Sequence, residues 1–289
     1  YIEDLTEVFD LAKDVLRDDG TLWLNLGDKR PGRGGKRNGS SDKECGMREA
    51  PSVWINGKAK DLQQVPESTS IALRKHGWIL RQTIVWFKTN TMPESASDRC
   101  TTAHEYIYHF CKNDKYYFDG YPIRESASYT RKAGSGERAG TRGGLRGATY
   151  KQEFGRNARS VWPIAVNSSG GEHLATFPPK IPERCILAGT SAYGCCSKCG
   201  APWKRILKSK QTFDGFIAEE SIFSELNKSC GCKNAKAIPC TVLDPFGGSG
   251  TTGMVSSKLN RDAIIIELNP KYADICRKRA GQTFNEIWD

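Results

Sequence analysis

In the first twenty residues, YIEDLTEVFDLAKDVLRDDG, the apolar positions Ile2, Leu5, Phe9, Ala12 and Leu16 fall three to four apart. That period puts them on one helical face, and Gly20 is the expected stop. TLWLNL, Thr21 to Leu26, follows as a short strand apolar on both faces, as a strand covered on both sides must be. The same alternation of periods continues along the chain. It predicts a helix around Ser68 to His76, a strand in GWILRQTIVWFKTN, and a strand from Glu105 to Cys111 with a hairpin in HEYIYHFCKNDKYYFD. RSVWPIAV reads as a further strand, and HLATFPPKIPERCILAGT as a turn leading into a helix. CTVLDPF, a helix from Thr251, DAIIIEL and PKYADICRKRA then give strand, helix, strand, helix. Helices alternating with buried strands predict an α/β fold with a doubly wound sheet. The chain opens inside such a unit, so the strand expected before the first helix lies upstream of Tyr1. There are no internal repeats, and no run approaches the ~18 apolar residues that would span a membrane.

The stretch TVLDPFGGSGTTG, Thr241 to Gly253, carries the chemistry. A strand ends in Asp244, a glycine-rich turn opens a helix, and the next strand ends in Glu267. This is the ligand-binding half of a doubly wound domain. Gly247, Gly248 and Gly250 let the backbone approach a ligand closely, and Glu267 is placed to accept hydrogen bonds from ribose hydroxyls. Gly250 is followed by Thr251 and Thr252, so the Gly-Lys-Ser/Thr of a phosphate-binding loop is missing, as is the G-x-G-x-x-G spacing of dinucleotide folds. A nucleoside without phosphates, bearing a charged tail, fits better, and S-adenosylmethionine is such a ligand.

Composition narrows the partners. A net charge of +10 and a pI near 9.0 favour polyanions, nucleic acid or an acidic membrane face. The glycine- and arginine-rich stretches Asp28 to Lys58 and Arg124 to Arg159 carry much of the surplus. Arg131, Lys132, Arg138, Arg142 and Arg146 are candidates to neutralise phosphates, with salt-dependent binding as the consequence. The eleven cysteines do not form a secreted disulfide pattern. Their distribution suits a reducing compartment, the cytoplasm or, in a eukaryote, the nucleus. Cys196-x-x-Cys199 and Cys230-x-Cys232 are two close pairs of thiolates suited to a tetrahedral structural zinc, with Cys195 competing with Cys196 for the first position.

At this point a family resemblance becomes specific. DPFGGSGTTG with AIIIELNPKYADI resembles the S-adenosylmethionine motif of the DNA amino-methyltransferases, which modify N4 of cytosine or N6 of adenine. GTLWLNLGD, WFKTNTMPES and HEYIYHFCK are similar to later sheet motifs of that family, and HLATFPPKIPERCI to its second cofactor segment. The resemblance implies a Rossmann-like methyltransferase sheet in circularly permuted motif order, the β-type subgroup, with a small inserted cysteine module before the cofactor strand. It implies cofactor contacts from Asp244, Pro245, Phe246, Gly248, Ser249, Gly250, Thr251, Thr252 and Glu267, and from His173, Phe177 and Pro178. The implied partition is a catalytic half over 1–123, a basic target-recognition loop over 124–160 and a cofactor segment over 161–190. A zinc module over 191–239 and the cofactor-binding half over 240–289 complete it.

The family's catalytic motif is Asp, Asn or Ser, then Pro-Pro, then an aromatic. The sole Pro-Pro here, Pro178-Pro179, is followed by Lys180 and belongs to the cofactor segment. The catalytic residues are therefore expected upstream of Tyr1, and a chain without them would be inactive. An exocyclic base amine is a weak nucleophile because its lone pair is delocalised into the ring. Such a motif would hydrogen-bond the amine's hydrogens and stack on the flipped base, leaving transfer a matter of positioning. The expected partner is double-stranded DNA, not a membrane. A homodimer and a cognate restriction nuclease stay open, and the base leans to cytosine N4 over adenine N6. The alternative is a non-catalytic, zinc-bearing nucleic-acid-binding protein on the same fold.

Overall fold

The computed structural model describes residues 1–30, 60–126, 156–166, 177–205, 207–211, 217–221 and 228–280. Helix α1 spans Ile2–Val15 and strand β1 Thr21–Leu26. Leu5 and Phe9 are buried on the predicted face. The helix ends at Val15, five residues before Gly20, and Leu16 turns extended.

Helix α2, Val65–Lys75, begins three residues earlier than its apolar period suggests. Pro66 fits the first turn, where no N–H is required of it. Asp28 receives the backbone N–H groups of Gln64 (2.9 Å) and Val65 (3.1 Å) at this helix start. Asp28, two residues beyond β1, therefore opens a helix.

β2, Ile79–Phe87, and β3, His104–Cys111, pair antiparallel, and β1 pairs antiparallel with the other edge of β3. β4, Val161–Pro163, runs parallel to β2, giving the order β1-β3-β2-β4. No hairpin arm forms from YYFD. Those residues leave the sheet instead, with Tyr117 N–H donating to Asp19 O. A short 3-10 turn, Tyr121–Ile123, follows.

The sheet is covered on both faces. On one, Leu5, Phe9, Leu73, Trp78, Tyr108 and Phe110 pack α1 and α2 against the strands. On the other, Ile84, Trp86, Ile107 and Trp162 meet Ile181 and Cys185 of α3, Lys180–Gly189. Each such side chain, fully buried, contributes roughly 1.5–3 kcal/mol.

Four short strands follow: β5, Cys195–Cys196; β6, Leu207–Gln211; β7, Ile217–Ser221; and β8, Ala237–Ile238. β6 pairs with β7, and β5 pairs antiparallel with β8, closing the base of the cysteine segment. β9, Thr241–Asp244, then leads through the glycine turn into α4, Thr251–Lys258. β10, Asp262–Ile265, lies parallel to β9, and α5 spans Pro270–Ala280.

β1 and β9 start at the same place. A methyl on Gly189, the last residue of α3, would lie 2.9 Å from Thr21 Oγ1, and Cys240 Sγ lies 3.8 Å from Ser191 O. At the opposite end, Phe246 just beyond β9 packs edge-on against Phe9 of α1, with centroids 6.0 Å apart. The glycine loop therefore sits at the carboxyl end of the sheet, where doubly wound folds place their ligands. Among the described residues no helix is long and apolar enough to cross a membrane.

Candidate functional site

The glycine loop is built by exclusion of side chains. Gly248 (φ 51°) and Gly250 (φ 78°) adopt left-handed conformations that L-residues avoid. A Cβ on Gly247 would run into Ile265, and one on Gly250 would lie 2.5 Å from Cys276 Sγ of α5. The turn closes on itself through Gly250 N–H to Gly247 O (2.8 Å) and on β10 through Gly247 N–H to Ile266 O (2.9 Å).

Glu267 fastens it. One carboxylate oxygen accepts from Gly248 N–H (2.7 Å) and the other from Asn269 N–H (2.8 Å). Asp244 accepts from Phe246 N–H at 3.0 Å, which folds Pro245 into the turn. Thr251 and Thr252 are buried in the first turn of α4, whose leading N–H groups have no acceptor within the helix. The Phe246 ring is 53 % exposed at the mouth of the loop.

Sequence reasoning missed three supports. Arg279 of α5 donates to Ser249 Oγ (2.6 Å) and Ser249 O (3.1 Å), Asn269 Oδ1 caps α5 at Lys271 N–H (3.0 Å), and Cys276 fills the space under Gly250. A helix pattern locates α5, but nothing in it marks which residue reaches back to the loop. A fourth group lies at the carboxyl ends of β1 and β2, where Glu105 is held between Lys88 (2.5 Å) and Asn25 (3.1 Å).

Phe177 and Pro178 sit at the start of α3, Phe177 against the core and Pro178 buried, with Pro178 O accepting from Ile181 N–H. His173 lies outside the described residues, as do Arg131, Lys132, Arg138, Arg142 and Arg146.

The cysteines converge. The Sγ atoms of Cys196, Cys199, Cys230 and Cys232 all lie within 4.8 Å of one another. A tetrahedral zinc with Zn–S bonds of ~2.3 Å would set them about 3.8 Å apart, a small contraction. Gly200 (φ 70°) makes the turn after the first pair, donating to Cys196 O at 2.7 Å. The backbone N–H groups of Cys199 and Lys198 point at Cys196 Sγ and lower its pKa to about 6. Cys195 is excluded from the cluster. Its Sγ turns to Pro239 O (3.5 Å), and burial, with Cys240 beside it, pushes its pKa up to about 11. The module docks on the sheet through Arg17, which donates to Cys199 O at 2.5 Å.

These features meet in one class of protein. The DNA methylase family model for N6 and N4 methyltransferases matches residues 1–196 and 240–278, and the chain belongs to that family. The unmatched stretch between them is the cysteine module. Its activity class is that of a DNA amino-methyltransferase.

Among curated relatives, the Type II methyltransferase M.SmaI of Serratia marcescens is 33 % identical over 96 % of this chain and 73 % of its own length. M.Cfr9I of Citrobacter freundii is 33 % identical over 99 % of this chain and 74 % of its own. The solved structure of PvuII DNA methyltransferase (cytosine-N4-specific) superposes with a TM-score of 0.56 at 15 % identity, covering 99 % of this chain and 72 % of that one. A complex of M1.HpyAVI with S-adenosylmethionine gives 0.50 at 15 % identity, over 96 % and 82 %. The Rossmann-like methyltransferase fold expected from the motifs is the one found.

Proposed function

We propose that the loop from Asp244 to Thr252 binds S-adenosylmethionine and that the chain methylates the N4 amine of a cytosine flipped out of double-stranded DNA. The observation that carries this reading is the Glu267 clamp on Gly248 and Asn269, which fixes a carboxylate beside a side-chain-free turn. When bound, the cofactor supplies a methyl group on a cationic sulfur. Asp244 and Glu267 bring negative charge to a cation and acceptors to a ribose diol, since each Glu267 oxygen keeps a second lone pair. The exposed Phe246 ring offers a flat apolar face for an adenine. Phe177 and Pro178 close the cofactor side just ahead of α3, which packs on α4, and His173 is a further proposed contact.

The residues that orient the base amine belong, in this reading, to a Pro-Pro-aromatic motif upstream of Tyr1. Among the described residues β1 and β9 each have a strand on one side only, and both start beside the end of α3. A strand carrying the motif pairs into that space. Arg131, Lys132, Arg138, Arg142 and Arg146 contact DNA phosphates within a recognition segment over 124–160. Cys196, Cys199, Cys230 and Cys232 hold a zinc whose four protein ligands leave no open position, so its role is structural. The domain partition proposed from the motifs follows the same lines, and the reading extends to a cytoplasmic enzyme paired with a cognate restriction nuclease.

The test is mass spectrometry of nucleosides from the DNA of cells expressing the full reading frame, codons upstream of Tyr1 included. A new N4-methylcytosine peak is expected. N6-methyladenine in its place would overturn the choice of base, and no new methylated base would overturn the function.

A further inference from the structure

A cavity of about 550 Å³ opens at the end of the sheet opposite the glycine loop; it touches both ends of the segment proposed for target recognition, at Arg124 and at Asn157 to Arg159, but none of the residues proposed to bind S-adenosylmethionine. Its volume falls in the range of small-ligand sites. The walls come from β1, β2, the Tyr116–Ile123 turn, the approach to β4, and Lys204 and Arg205 beyond the first cysteine pair.

The lining combines flat rings with cations. Trp23 lies stacked on His109 at 4.1 Å and 8°, which fixes its ring, and the Trp162 ring lies 6.4 Å from it at 27°. His109 is buried, and burial lowers its pKa to about 4, so it adds no charge behind the tryptophan. Tyr121 is flanked by two guanidinium groups, Arg124 at 4.9 Å and Arg205 at 4.7 Å.

The charges can be paired off. Arg205 is answered by Asp119 at 3.1 Å, each side chain 10 % exposed, and Glu125 is shared by Arg159 at 2.8 Å and Arg156 at 3.2 Å. Arg124 and Lys204 have no acid partner among the described residues. Arg124 Nε is moreover buried without a hydrogen-bond acceptor among the described residues, so no neighbouring oxygen there neutralises this guanidinium. Two uncompensated positive charges beside aromatic walls suit a ligand with a flat ring system and about two negative charges. A phosphomonoester carries about −1.5 to −2 near pH 7, and aromatic side chains stack on any base.

We propose that this cavity is a second nucleotide site, which takes a base against its aromatic walls and a terminal phosphate on Arg124 and Lys204. The phosphomonoester belongs either to a free nucleoside 5′-monophosphate or to the 5′ end of a DNA strand. Because the cavity and the glycine loop lie at opposite ends of the sheet, the site works independently of the cofactor.

The test is titration of the full chain, read by tryptophan fluorescence and calorimetry, with GMP, guanosine, inorganic phosphate, and a short 5′-phosphorylated oligonucleotide beside its unphosphorylated twin. GMP or the phosphorylated oligonucleotide is expected to bind at least tenfold tighter than guanosine or the twin. Which of the two binds identifies the source of the phosphate. Lys204→Gln, at an exposed side chain, and Arg124→Gln are each expected to remove most of that preference while the thermal unfolding midpoint of Lys204→Gln stays at the wild-type value. Competition by S-adenosylmethionine, equal binding with and without the phosphate, or no binding at millimolar ligand would each overturn the proposal.

Discussion

Replacing Gly250 by alanine isolates what the glycine loop depends on. The residue holds φ 78°, a conformation that costs an L-residue roughly 1–2 kcal/mol. The added methyl would lie 2.5 Å from Cys276 Sγ and 2.9 Å from Cys276 Cα. The sulfur could swing away, but the backbone carbon can move only by shifting α5. Overpacking of that kind costs about 1–3 kcal/mol, so Gly250→Ala should destabilise the chain by about 2–5 kcal/mol in all. A displaced α5 carries Arg279 off Ser249, so affinity for S-adenosylmethionine should fall by more than tenfold. Urea unfolding measures the first quantity and calorimetric titration the second. Gly231→Ala is the control, since nothing lies within 4 Å of a methyl there and its φ is not in the left-handed range. If Gly250→Ala matched the Gly231→Ala variant within ~0.5 kcal/mol, the size of an ordinary surface substitution, the account of the loop would be wrong.

Glu267→Gln leaves one acceptor for two backbone N–H groups. Losing a charged hydrogen bond worth about 1.5–3 kcal/mol should weaken S-adenosylmethionine at least tenfold in the same titration. Asp28→Ala should cost about 1 kcal/mol through the lost start of α2 and leave cofactor affinity intact, as denaturation and titration would show together. Protein produced with zinc should carry one zinc per chain by atomic absorption. Cys199→Ser should lose it together with several degrees of thermal midpoint, and a metal-free wild type with four freely titrating thiols would exclude the site. His109 has its pKa lowered by burial from 6.5 to about 4. Between those values the unfolded chain binds the extra proton, so the native state should lose roughly 3 kcal/mol as pH falls through this window. His109→Phe should flatten that slope, and an unchanged slope would refute the assignment.

The chain's periodicity was enough to locate the helices and buried strands, because each buries one face or two and repeats its apolar residues accordingly. The glycine loop was equally legible, since chemistry and backbone geometry there depend on a few adjacent residues. The four clustered cysteines could be named, but only the fold separates Cys196 from Cys195, whose side chain turns toward Pro239. What stayed hidden depends on contacts distant in sequence. Asp28 looks like a residue at the end of a strand until Gln64 and Val65 arrive at its carboxylate. Arg279 reads as one basic residue among several in the last helix until it is found on Ser249. The aromatic cavity is assembled from well-separated segments, and no one of them marks it as a site. YYFD has strand-forming residues, but Tyr117 bonds to Asp19 at the start of β1 and so draws the segment out of the sheet.

The pairing of Cys196 with Ala237 brings the two ends of a long insertion side by side, about 4.8 Å apart in the hydrogen-bonding direction. For the strand that carries the cofactor loop, residues 197–236 are thus no longer than a tight turn. The cofactor loop, which is held by β10 and α5, keeps its own supports whatever is mounted there. The same doorway could receive a different module with adjacent termini, such as a reporter domain or a second DNA reader, while Asp244 to Thr252 keep their geometry.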